Sequence, residues 1–105
     1  MHTPHAAAIW NGLAFANVQL GNYEIAIEEA DAASNLNPEY SAPYRMRAAA
    51  FAHLDRMREA TDALAALEHL VPGETVSALR ARSGFLDAPG IRRYLEGLRK
   101  AGMPG

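Results

Sequence analysis

The stretch Trp10-Asn11-Gly12-Leu13-Ala14-Phe15-Ala16-Asn17-Val18-Gln19-Leu20-Gly21-Asn22 decides the fold once it is laid over Tyr44-Arg45-Met46-Arg47-Ala48-Ala49-Ala50-Phe51-Ala52-His53-Leu54-Asp55-Arg56, which lies 34 residues further on. Trp10 meets Tyr44, Ala14 meets Ala48 and Leu20 meets Leu54. Carried onward, the same offset puts Ala26 on Ala60, Ala33 on Leu67 and Pro38 on Pro72. Self-similarity at a period of roughly 20 to 50 residues marks stacked supersecondary units, each unable to bury its apolar face alone.

Inside each copy the apolar residues recur at helical spacing. Tyr23, Ala26, Ile27, Ala30 and Ala33 share one face. Met57, Ala60, Ala63, Leu64, Leu67 and Leu70 share another, with Arg58, Glu59, Asp62 and Glu68 off the stripe. A helix precedes each of these, one through Trp10, Leu13, Ala14 and Leu20, the other through Tyr44, Ala48, Phe51 and Leu54. Ala14, Ala26, Ala48 and Ala60 leave room for the paired backbones to approach. Gly21-Asn22 and Asp55-Arg56 mark the turns, and Pro38 and Pro72 end the second helices. Thr3-Pro4, Ser41 and Thr75 offer helix starts. The pattern predicts an all-α chain of two helical hairpins.

An aromatic, two small residues and a closing proline on a 34-residue period resemble the tetratricopeptide repeat, over residues 7 to 74. Asn17, Arg47 and Asp55 depart from that pattern, where an aromatic, a leucine and a glycine are expected. The resemblance implies an α-α superhelix, with a leader at 1–6, repeats at 7–40 and 41–74, and a basic tail at 75–105. The tail reads as two more helices. The first runs from about Thr75 to Ser83-Gly84. The second starts after Asp87 and Pro89, carries Ile91, Tyr94, Leu95 and Leu98 on one face, and ends at Gly102. That face is suited to docking on the array.

Asn35-Leu36-Asn37-Pro38, Pro43-Tyr44-Arg45, Ala52-His53-Leu54, Thr75 to Arg82 and Arg93 to Pro104 resemble the C-terminal ends of bacterial adenylate/guanylate cyclases of class III. In those proteins a cyclase domain precedes tetratricopeptide repeats, which implies a regulatory part of a larger protein. No position here matches the metal-binding or nucleotide-recognising residues of such a domain. The apolar residues Ala6, Ala7, Ile9 and Trp10 would suit a first helix covered by earlier repeats, so we expect a C-terminal portion of a longer chain.

The net charge of −2 divides unevenly: residues 1–74 hold four Arg against ten Asp or Glu, and residues 75–105 hold six Arg or Lys against two acids. A basic tail lying on its own acidic body accounts for this, and no recognition motif supports nucleic acid as partner. No cysteine is present, no apolar run is long enough to cross a bilayer, and no secretion signal opens the chain, which suits a cytoplasmic protein. His2, His5, His53 and His69 do not converge as metal ligands. The serines read as caps and Glu28-Glu29 as a solvated face, so neither an enzyme nor a cofactor is expected.

What remains is a groove along the first helix of each hairpin. By the resemblance it is lined by Asn11, Phe15, Val18 and Gln19 in one repeat and by Arg45, Ala49, Ala52 and His53 in the next. Asn11 and Gln19 suit a peptide backbone, Phe15 an apolar anchor and Arg45 a carboxylate. The expected partner is a protein or peptide, with a homodimer through the uncovered first helix as a further possibility. The alternative is a purely architectural segment that caps a longer array.

Overall fold

The computed structural model describes residues 5–84 and 88–105. The helix start at Thr3-Pro4, the histidine at His2 and the cap at Asp87 lie outside them. Six helices follow one another: α1 (Ala6–Leu20), α2 (Tyr23–Leu36), α3 (Ala42–His53), α4 (Met57–Leu70), α5 (Val76–Arg82) and α6 (Pro89–Ala101). No strand occurs among the described residues.

The two hairpin turns have the same hydrogen bonding at the 34-residue offset. In the first, Asn22 N–H donates to Asn17 O at 2.8 Å and Gly21 N–H to Val18 O at 3.1 Å. In the second, Arg56 N–H donates to Phe51 O at 2.9 Å and Asp55 N–H to Ala52 O at 3.0 Å. This is the Schellman closure, which needs a left-handed residue. Gly21 takes it at φ 84° and Asp55 at φ 60°, so aspartate does the work of glycine in the second turn. Thr75 caps α5, its hydroxyl oxygen accepting from Ala78 N–H at 3.1 Å. Ser41 precedes α3 without such a bond, and α3 opens instead on Pro43, whose fixed φ suits a first turn.

α1 packs on α2, α3 on α4, and α3 also on α2. Ala14, Ala26, Ala30, Ala48 and Ala60 are fully enclosed, so the helices meet backbone to backbone. Part of the apolar stripe is not covered. Trp10, Leu13 and Leu20 stay exposed, because no described element packs on the outer side of α1, and Met57 is exposed at the start of α4.

α6 crosses α3 and α1 on the side away from α2. It buries Ile91, Tyr94, Leu95 and Leu98. Beyond it, Met103 N–H donates to Leu98 O, and Val76 N–H donates to Pro104 O, which ties α5 to the chain end. Tail and body also pair by charge, Arg82 with Glu74 at 2.8 Å and Lys100 with Asp55 at 3.2 Å. Such half-exposed pairs contribute about 0–1 kcal/mol, whereas each large apolar side chain buried contributes about 1.5–3 kcal/mol. Apolar packing therefore holds α6 in place.

Two glycines set how close α6 comes. A Cβ on Gly97 would stand 2.8 Å from both Ala49 O and His53 Cδ2, and one on Gly90 would stand 2.7 Å from Gln19 Cβ. By contrast, a Cβ on Gly12 in α1 would meet nothing within 4 Å. Overpacking costs about 1–3 kcal/mol, while Gly to Ala inside a helix gains about 1 kcal/mol. Gly97→Ala is thus expected to lower the urea midpoint, and Gly12→Ala to raise it. A rise for both would show that α6 is not seated this closely.

Candidate functional site

Of the eight residues expected to line a groove, Asn11, Phe15 and Gln19 of α1 and Arg45, Ala49 and His53 of α3 fall on one continuous face, and α6 lies along it. Phe15 meets Tyr94 edge to face, with ring centroids 5.0 Å apart at 73°. Gln19 offers its backbone carbonyl to the Arg93 guanidinium and its side chain to the space beside Gly90. His53 Nε2 lies 2.7 Å from Arg93 O, and its ring stacks on Tyr23 at 4.7 Å and 14°. Ala49 is fully buried, and its small side chain lets Gly97 settle onto the α3 backbone, while Ala52, also fully buried, is the repeat counterpart of Val18. Val18 differs from the others. It shares a stripe with Ala14, one helical turn away, and is enclosed in the packing between hairpins.

Arg45 sits at the far end of this face. Its guanidinium lies 3.2 Å from Glu74 Oε1, while Arg82 lies 2.8 Å from the other oxygen of the same carboxylate. Only 6% of the Glu74 side chain is exposed, so two cations from different segments neutralise a nearly buried acid. Asn11, Phe15, Arg45, Met46 and Tyr94 border a residual opening of about 210 Å³, the part of the face α6 leaves unfilled. Asn11 Oδ1 is buried there without a hydrogen-bond partner.

Among the described residues no three His, Asp or Glu side chains come together as metal ligands, and no helix is long and apolar enough to cross a membrane. Tyr94 is the titratable side chain buried where α6 meets α1. Burial raises its hydroxyl pKa, and the charge and hydrogen bond of Arg45 act against that rise.

Sequence reasoning placed Ile91, Tyr94, Leu95 and Leu98 on the docking face of α6, but did not foresee that this face lands on the groove itself. The available signal was Gly90, Tyr94, Gly97 and Ala101, spaced four, three and four residues apart, a seam of small residues broken by one aromatic. No family model, no curated protein and no solved structure matches this chain.

A folded-state pKa raised above the unfolded value gives stability that is complete below the ordinary tyrosine value of 10.0 and lost as pH rises through the raised one. The wild-type chain should therefore lose stability above pH 10 more steeply than a Tyr94→Phe variant, as read by urea midpoints at stepped pH. Equal slopes would mean that Tyr94 is open to water.

Proposed function

We propose that this chain is a non-catalytic protein-interaction module of the tetratricopeptide type, cytoplasmic, whose first-helix face holds an amphipathic helix of another polypeptide. The observation that carries this reading is the seating of α6: a face lined by Phe15, Gln19, Arg45 and His53 already grips a helix through a ring contact, two backbone-carbonyl contacts and a glycine seam. An intramolecular helix competes at an effective concentration on the order of millimolar, so a partner must outbind it or find it displaced. The resemblance to cyclase C-terminal regions adds a setting in which such displacement would regulate an upstream domain.

A second reading, capping of an array or self-association through the uncovered first helix, is favoured by the exposure of Ile9 at 62% and Leu20 at 71%. Large apolar side chains grouped on one surface mark association sites.

The first reading is tested with a labelled synthetic peptide of residues 88–105. A full-length Gly97→Val variant, whose own α6 is loosened, should bind it saturably, and wild type should not. Gly90→Ala, which alters α6 and leaves the face intact, serves as a milder variant should the first lose helicity. Peptide carrying the Gly97→Val change should not bind either variant. Failure of the unaltered peptide to bind both would refute the reading.

A further inference from the structure

The 34-residue offset allows each position of the first hairpin to be compared with its counterpart in the second, and two stripes of difference in burial bear on how the hairpins join. Arg47 Nε lies 3.2 Å from Asp31 Oδ1, close enough for charge attraction although the N–H is not aimed at the oxygen, so the Arg47 side of α3 faces α2. On that side Pro43, Met46 and Ala50 are buried. Their counterparts on α1, Ile9, Gly12 and Ala16, are exposed. The reverse holds for the second helices. Ile27 and Ala30 of α2 are covered, whereas Thr61 of α4 is exposed and Leu64 half-buried. Thr61, Leu64 and Ala65 line an open, largely apolar cleft of about 600 Å³, closed on its far side by Met103 and Pro104.

The outer side of α1 and the cleft on α4 are thus the two unmatched halves of the interface that joins the hairpins internally. The charge pattern identifies their occupant. Inside the chain the contact pairs Arg47 with Asp31; at the open ends the counterparts are Leu13 and Ala65, both uncharged and both exposed. The arginine and the aspartate are replaced by uncharged residues at both ends together, and of the acids that border the cleft Glu74 is paired with Arg45 and Arg82 while Glu68 accepts from Gly73 N–H, so at this position each open end matches the other. A partner that kept the arginine or the aspartate would leave a charge unpaired against an apolar surface.

We propose that copies of this chain associate head to tail, the Leu13 side of α1 on one copy docking at the Ala65 cleft of the next. This rests on the self-association reading for α1 and adds the second half of the interface; it does not depend on what the first-helix face binds. Such a contact is heterologous and does not close on itself, so mass grows beyond the dimer.

Sedimentation across micromolar to millimolar concentration provides the test. The wild-type average mass should rise continuously. Leu13→Arg and Ala65→Asp lie at exposed positions and should keep the fold, and each alone should weaken association by roughly tenfold or more. An equimolar mixture of the two variants should restore it, because an arginine then faces an aspartate as Arg47 faces Asp31. A wild-type monomer at every concentration overturns both the proposal and the self-association reading. Association abolished by Leu13→Arg but untouched by Ala65→Asp overturns only the head-to-tail arrangement and leaves an α1-to-α1 dimer. No recovery in the mixture also overturns it.

Discussion

Everything distinctive in this structure depends on how closely α6 approaches α3. At Gly97 the two backbones come so near that a single methyl group would strike a carbonyl oxygen of Ala49. That closeness is what brings Tyr94 against Phe15 and the Arg93 carbonyl within reach of His53. It requires small residues on both sides, glycine on α6 and the fully buried Ala49 on α3. Replacing them with bulky residues would convert a specific fit into a loose apolar contact, because packed interiors respond to volume changes as small as one methylene.

The same economy of side chains runs through both hairpins. Alanines at the crossing points bring helices together but bury little apolar area each, so two hairpins alone make a thin core for a chain of 105 residues. α6 and the chain end supply the missing layer. Ile91, Leu95, Leu98 and Met103 are buried, and their contribution is the largest apolar block outside the hairpins themselves. The candidate site and the stabilising layer are therefore the same contact, and any partner that enters the face acts on the stability of the whole.

Much of this was legible in the sequence because it is local. Breakers at Pro38 and Pro72, the turn at Gly21-Asn22 and the stripe through Ile91 to Leu98 each act within a few residues, and the ends of α1, α2 and α4 and the position of α6 agree with those signals. Asp55 was a weaker turn signal than glycine, yet it closes the turn with the same two bonds, since aspartate tolerates the left-handed region. Ser41 starts α3 from the N-cap position but makes no side-chain capping bond; Pro43 has no N–H to offer, and Tyr44 N–H goes to the Ser41 carbonyl. The destination of α6 was not legible. An amphipathic stripe says that a helix docks, not where, and the decisive contacts join residues 15, 19, 49 and 53 to residues 90–97 across most of the chain. Val18 illustrates the opposite limit: a single position, about 100° around the helix, separates Val18 in the core from Gln19 in the groove, and spacing within a resemblance does not resolve it.

The central claim is that α6 lies along the face formed by α1 and α3 in the free chain. It is tested most directly by nuclear Overhauser contacts between aromatic rings in solution. The account predicts cross-peaks between the Phe15 and Tyr94 rings, whose centroids are 5.0 Å apart, together with contacts from the Gly97 α-protons to the His53 ring. Absence of both sets, with Tyr94 shifts close to those of an unfolded peptide, would contradict it and leave the face open.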